Sequence, residues 1–413
     1  MNPSDFLPAE LAQVEDDPIL DSTAQLEDAA RALDLEDWIT RRLKHPEREI
    51  SLNLLLDLDS GDSLTSTGAL VQYTHSRGPC LAPVLFSRDA HLVQLRALAL
   101  HMTLQCALLD LPISGAAAAI ICDPAQLSER ELRHLVDEYL WALRDITGPH
   151  SIVFAPADYA AAWTHRRLQP AAVAGKPPVL GGIPDLPTAI AGGWLTLILE
   201  ALPVRKTLLH NCRIALQGFG PAAAALARLL TEAGARVIAL ADKSGGLFSD
   251  RGLDISRVSD HVGRHTMLYG FPDAEAVRNA EVIESPCDVL ITAAAPRQVN
   301  AQNAARIQAP LVLEALHNAV TPAAAAILTS RGMTVVPSLL GAAPATLAWF
   351  AEWQHGLRYA APEQGQVEAT IRQQLSGTFQ RAQAAAAAHK SALPDACYLL
   401  ALEQIGAALR LTR

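Results

Sequence analysis

The sequence predicts an α/β protein of two domains, and three observations carry that expectation. Its 413 residues exceed what one hydrophobic core usually serves. Through the second half, short Val/Ile/Leu runs alternate with helical stretches, the pattern of a parallel sheet covered on both faces. Between one such run and a helix stands a Gly-x-Gly-x-x-Ala turn, Gly218-Phe219-Gly220-Pro221-Ala222-Ala223.

In chain order, "LEDAARALDLEDWITRRL" places Leu26, Ala29, Ala30, Leu33 and Trp38 at helical spacing. "EISLNLLLDL" and "CLAPVLF" read as strands on either side of a Gly/Ser/Thr turn region, and "AHLVQLRALALHMTLQCALL" as a long helix ending at Leu111-Pro112. Ser114-Gly115 then reads as a tight turn passing close to a ligand or another backbone, followed by a strand, "AAIICDP". "SERELRHLVDEYLWALRDI" is an amphipathic helix with Ser128 as N-cap and Glu131 at the capping-box position. Proline-rich residues 165–187 mark the domain boundary. Beyond it come the strands "RIALQ", "RVIALAD", "DVLITAA", "PLVLEAL" and "TVVPSL", then a helical tail from Ala345.

Composition narrows the function classes. Half the residues are apolar, and 43 acidic against 33 basic residues leave a net charge of −10. That balance provides no electrostatic footprint for nucleic acid or an anionic membrane, so neither partner is expected. Six scattered cysteines without ligand spacing predict buried small hydrophobes in a reducing compartment and no metal site. The opening "MNPSDFLPAELAQVEDDPIL" lacks a basic start and an apolar run, which predicts no signal peptide and a cytoplasmic location. Pro, Gly and charges interrupt the longest apolar runs, so no membrane-length segment is expected.

The glycine turn carries a mechanism. Gly218 permits the tight turn, Gly220 lets backbone approach a pyrophosphate at a helix N-terminus, and Pro221 suits the first helical turn. Ala222 and Ala223 then open the helix, and Phe219 sits between the glycines. The next strand ends in Asp242, where an acid binds a ribose 2′-hydroxyl and favours NAD; adjacent Lys243 is able to pair with a 2′-phosphate, so NADP stays open. Both a working dinucleotide site and a fold kept after its ligand was lost are compatible with this motif.

From "RGPCLAPVLF" and "HMTLQCALLDLPISGAAAAI" to "IALQGFGPAAAALARLLTEAGARVIALADKSGGLFSDRGLDI", "VLEALHNAVTPAAAAIL", "GMTVVPSLL" and "FAEWQH", the chain resembles the Glu/Leu/Phe/Val dehydrogenases, most of all their hexameric glutamate dehydrogenase branch. The resemblance covers roughly residues 45–413. It implies an N-terminal α/β domain of the amino-acid dehydrogenase type over 1–180, completed by helices 345–413 packing back on it, and a Rossmann-like NAD(P) domain over 181–344. The implied chemistry is oxidative deamination of an L-amino acid. Cations hold the substrate, a lysine of lowered pKa activates water, and a carboxylate shuttles protons.

At the positions where the family carries those groups this sequence differs. The three lysines fall on Leu81, Gln105 and Ala117, and the aspartate falls on Ala157, with Asp158 adjacent. Ile183, Leu186 and Ile190 replace a Ser-Arg-Thr pattern, Pro344-Ala345 a glycine pair, and Trp349 a substrate-side serine. His317 replaces an asparagine and reads either as a cofactor contact or as a pocket histidine. His75, Arg77, Lys176, Glu314, Glu352 and Trp353 read as structural, with Lys176 at a surface or turn. A proton-transfer group is worth about 10²–10⁴ in rate and an electrostatic donor about 10²–10³, so their joint absence predicts no glutamate turnover. The expectation is a non-catalytic regulatory or structural subunit, in a homo- or hetero-hexamer with a catalytic paralogue and responsive to a small apolar amino acid. The alternatives are an active dehydrogenase with a rebuilt site and a dinucleotide sensor without such a partner.

Overall fold

A computed structural model describes residues 18–147, 151–154, 173–204 and 208–412. They divide into two compact units, Met1–Leu180 with Tyr398–Arg413, and Gly181–Cys397. The division falls inside the proline-rich stretch expected to separate the domains.

In the first unit, α1 (Pro18–Ala32) and α2 (Asp37–Arg42) are separated by a bend at Asp34, which has a positive φ. β1 (Arg48–Asp57) and β2 (Ser63–Gln72) form an antiparallel hairpin in register from Arg48↔Gln72 to Asp57↔Ser63. β2 occupies the Gly/Ser/Thr stretch expected to be a turn. Its outer half is polar and exposed, so no hydrophobic alternation marks it, and pairing with β1 decides its conformation. β3 (Cys80–Phe86) leads to α3 (Leu92–Leu108), whose N-terminus is capped by His91. β4 (Ser114–Ile121) leads to α4 (Glu129–Ala142), where Ser128 and Glu131 make the expected capping box. With β5 (Ser151–Phe154) and β6 (Val173–Ala174) the sheet runs β1-β2-β4-β3-β5-β6. Its core gathers Leu54, Leu70, Ile120, Leu135 and Tyr139.

Ser114-Gly115 is therefore strand rather than turn, and the close approach it signalled is to backbone. A Cβ on Gly115 would stand 2.1 Å from the Thr103 nitrogen and 2.4 Å from the Met102 carbonyl carbon, so only glycine lets α3 lie this close to β4.

The second unit begins with α5 (Leu186–Val204). β7 (Arg213–Gln217), α6 (Pro221–Glu232) and β8 (Arg236–Asp242) follow. The short β9 (Gly245–Phe248) precedes α7 (Ile255–His265), and β10 (Glu275–Val277) precedes α8 (Asn279–Ile283). Then come β11 (Val289–Thr292), β12 (Leu311–Glu314), α9 (Pro322–Ser330) and β13 (Thr334–Val336). The sheet order is β10-β9-β8-β7-β11-β12-β13; β8, β7, β11, β12 and β13 are parallel, and β9 and β10 join antiparallel. All five strands expected here are present; β9 and β10 are too short to leave a sequence signal.

The helical tail comprises α10 (Ser338–Gly341), α11 (Ala343–Leu357), α12 (Gln364–His389) and α13 (Leu393–Leu411). The tail divides later than the expected Ala345: residues through Cys397 belong to the second unit and only Tyr398–Arg413 to the first. The reason is packing on α5. A Cβ on Gly193 would lie 2.6 Å from Pro344 Cβ and 3.1 Å from Ile371 Cγ2, and Trp194 Nε1 donates to the Gly341 carbonyl at 2.7 Å. Contrary to the expectation of no membrane-length segment, α5 is long and apolar enough to cross a membrane. Half of it is buried inside this unit, and Pro203 lies near its end.

Candidate functional site

β7 and β11 are neighbours, and the chain leaves them toward opposite sides of the sheet, so their carboxyl ends form a topological switch point. Gln217, Thr292 and Glu314 end three adjacent strands in register. Gly218 follows at φ +107, its N–H donating to the Ala241 carbonyl at 2.9 Å; a Cβ there would meet the Ala293 carbonyl carbon and oxygen at 2.8 Å. Gly218 is thus required twice, by dihedral and by space.

Gly220 is the extended N-cap of α6, with nothing within 4 Å of where a Cβ would stand, and Pro221 is the first helical residue. Phe219 and Ala222 are half-buried, whereas Ala223 is buried against the sheet as the third position of the motif requires. The exposed N–H groups of a 12-residue helix beside an open glycine suit an anion.

Asp242 ends β8 and is half-buried beside exposed Lys243. Its Oδ1 accepts from the Ser244 N–H and hydroxyl, and its Oδ2 from the Leu268 N–H at 2.8 Å. Asn279 Nδ2 donates to the Asp242 carbonyl at 3.0 Å, and the Tyr269 N–H to Ser244 Oγ at 3.0 Å. The carboxylate is therefore oriented by its own turn and by the 266–271 loop, leaving acceptor capacity on Oδ2. Ser244, Leu268 and Asn279 were not singled out from the sequence; the Asp-x-Ser turn is the one local signal that marks Ser244.

His317 lies on the segment after β12, on the same carboxyl rim. Burial pushes its imidazole down to about 4, so it is neutral near pH 7 and brings no charge to a phosphate. Nearby, Glu314 is buried and accepts from the Val320 N–H at 3.1 Å and the Ser338 N–H at 2.7 Å, tying this rim segment to α10. Burial raises its carboxyl to about 7 against those bonds. Gln217, 2% exposed, donates through Nε2 to Gln298 Oε1.

In the first unit, Leu81 lies opposite Gly115 in the β3–β4 pair, Ala117 is two residues further along β4, and Gln105 is on α3, the helix whose Met102 and Thr103 lie against Gly115. The fold thus places these three positions on β3, β4 and the helix packed against β4, and each is 0% exposed. None is titratable. Ala157 and Asp158 lie outside the described residues.

The residues read as structural have structural partners. Arg77 donates to Asp110 Oδ1 at 2.8 Å and through Nε to the Leu111 carbonyl at 3.3 Å, clamping the step that precedes β4. His75 Nδ1 lies 3.0 Å from Glu47 Oε2. Lys176, expected at a surface or turn, is instead 4% exposed and donates to the Val173 carbonyl at 2.7 Å. Glu352 is fully buried, and Trp353 nearly so, on α11. All six cysteines are free and buried, as expected.

Residues 46–162 match the sequence profile "Glu/Leu/Phe/Val dehydrogenase, dimerisation domain", and residues 181–413 match "Glutamate/Leucine/Phenylalanine/Valine dehydrogenase". The chain is 33% identical to the catabolic NAD-specific glutamate dehydrogenase of Bacillus subtilis over 400 residues, 93% of each chain. It is 32% identical to the NADP-specific glutamate dehydrogenase of Synechocystis over 367 residues, 83% of this chain and 86% of that one. Its fold is similar to that of the hetero-hexameric glutamate dehydrogenase of Thermus thermophilus in its leucine-bound form. The TM-score is 0.91 at 28% identity, covering 96% of this chain and 98% of that one. With both units matched, and relatives above 30% identity along nearly its whole length, the chain belongs to the Glu/Leu/Phe/Val dehydrogenase family.

Proposed function

We propose that this protein is a non-catalytic, NAD(P)-binding subunit of a glutamate dehydrogenase assembly that regulates or supports a catalytic paralogue. The observation that carries the reading is that Leu81, Gln105 and Ala117 are completely buried and bring no cation where related enzymes are expected to carry lysines. A dicarboxylate entering there would lose hydration with no cation among these side chains to offset it. Ile183, buried at 2% exposure, and half-buried Leu186 and Ile190 extend the same apolar substitution.

The dinucleotide end supports retained binding. Gly218, Gly220 and Pro221 would seat the pyrophosphate at the α6 N-terminus, and Asp242 would take a ribose hydroxyl. Nicotinamide dinucleotide supplies hydride acceptance when bound; these residues only hold and orient it. Lys243 keeps both cofactors in play, in line with relatives named NAD-specific and NADP-specific.

Assembly into a hexamer with a paralogue draws support from the hetero-hexameric relative and from β1. This strand is ten residues long, has no outer partner among the described residues, and shows exposed Leu55. Such an edge is ordinarily covered. The leucine-bound state of that relative supports an apolar amino acid as effector. The six buried free cysteines suit the cytoplasm.

Copurification from the native host tests the reading. A lysine-bearing homologue is expected to come down with the tagged chain and to change activity when the chain is removed, while the chain alone gives no glutamate-dependent NAD(P) reduction. Recovery of the homo-oligomer alone, with every paralogue unaffected, overturns it. One observation favours an active dehydrogenase with a rebuilt site: relatives named glutamate dehydrogenases at 33% identity over 93% of the chain. Turnover of any amino acid by the pure chain above about 1 s⁻¹ would establish that reading instead.

A further inference from the structure

Asp242 and Lys243 stand side by side at the end of β8 and pull the cofactor choice in opposite directions, a carboxylate toward a ribose 2′-hydroxyl and an ammonium toward a 2′-phosphate. What separates them is freedom of movement. Lys243 is exposed and has no hydrogen bond or ion pair among the described residues. Asp242 is half-buried and held at both carboxylate oxygens.

Ser244 carries most of that restraint. Its N–H reaches Asp242 Oδ1 at 2.6 Å, and its hydroxyl donates to the same oxygen. The hydroxyl oxygen also accepts from the Tyr269 N–H at 3.0 Å, so one side chain joins the acid to the 266–271 loop. From that loop the Leu268 N–H donates to Asp242 Oδ2 at 2.8 Å, and His261 Nε2, on α7, lies 3.2 Å from the Tyr269 carbonyl oxygen. Asn279, at the start of α8, donates to the Asp242 carbonyl at 3.0 Å. With two donors on Oδ1 and one on Oδ2, an acceptor position stays open on Oδ2.

We infer that Ser244 is a specificity-positioning residue: by pinning Asp242 it makes the chain select NAD over NADP. A carboxylate free to rotate would swing aside for a 2′-phosphate and leave Lys243 to pair with it. Here swinging aside breaks the hydrogen bonds from Ser244 and Leu268, all of them charge-assisted. The carboxylate therefore stays, and an entering phosphate meets a like charge at contact distance. Lys243, exposed and screened by solvent, does not offset that repulsion. The 2′-hydroxyl of NAD donates instead to the open position on Oδ2. The inference deepens the dinucleotide-binding half of the proposed function and rests on it; the regulatory half is not needed.

Calorimetry on the full chain, with NAD and NADP as probes, tests it. NADP is expected to bind about tenfold more weakly than NAD, or weaker still. Ser244→Ala should narrow that ratio about fivefold, chiefly by tightening NADP, while Ser244→Thr, which keeps the hydroxyl, preserves it. Lys243→Ala added to Ser244→Ala should take back the gain in NADP, since the ammonium is what a released site offers the phosphate. Equal binding of the two dinucleotides by the unaltered chain overturns the inference and leaves the dinucleotide site standing. An unchanged ratio in Ser244→Ala also overturns it, even with a lower Tm, because the hydroxyl would then serve the turn alone. Failure of both dinucleotides to bind removes the inference together with the dinucleotide-binding reading it rests on.

Discussion

At the scale of single residues, two carboxyls titrate in opposite directions. Glu47 accepts from His75, from Arg42 Nη2 at 2.8 Å and from Thr74 Oγ1 at 3.0 Å; the His75 bond above all holds its carboxyl down at about 2. A depressed folded-state pKa contributes stability above the unfolded value and loses it as pH falls toward 2. Glu47→Gln should therefore cost about 1–2 kcal/mol at neutral pH, after allowance for solvent around Arg42, and nothing once Glu47 is protonated. Urea unfolding of both proteins between pH 7 and 2 measures the difference, which should close below about pH 4.5. Glu314 has the reverse sign. Raised to about 7 by burial, it contributes stability that is full below its unfolded value and lost as pH rises through 7. The two windows separate in one titration.

At the scale of elements, the glycines decide how closely things pack. Gly115→Ala forces a Cβ into the Met102–Thr103 backbone, which moves only if α3 leaves β4; the expected loss is about 3 kcal/mol or more, read as a fall in Tm. Gly218→Ala meets the Ala293 backbone at a positive φ and should cost about 1–3 kcal/mol together with dinucleotide binding. Gly220→Ala meets nothing within 4 Å, so stability should hold while NAD(P) affinity falls at least tenfold, which calorimetry checks. Legibility at this scale followed signal length. The capping box at Ser128 and the five parallel strands were readable, since cap chemistry and apolar runs are local. β2 was not, because its outer residues are polar and the pairing partner β1 supplies its order.

At the scale of the whole molecule, the chain keeps the scaffold of its family and buries Leu81, Gln105 and Ala117 completely. On the proposed reading, a single added lysine does not confer glutamate turnover. Ala117→Lys would place an ammonium at a position with no exposure, so the variant should be less stable and, on the proposed non-catalytic reading, give no glutamate-dependent NAD(P) reduction. Thermal unfolding together with NAD(P) reduction assays decides this; activity on that single change would mean the rest of the machinery is intact. Within the candidate site, Gly218, Gly220, Pro221 and Asp242 were legible from one motif, whereas the partners of Asp242 on the 266–271 loop were not.

By itself the sequence determined the α/β class, the boundary near residue 180 and the glycine turn, for these rest on neighbouring residues and on order along the chain. Only the tertiary structure decided that Gly115 is closed by α3 rather than by a ligand, that Lys176 is buried, and that α11 and α12 pack on α5. Those facts depend on which distant segments share a surface. Local periodicity says which face of an element is apolar; it cannot say what comes to cover that face.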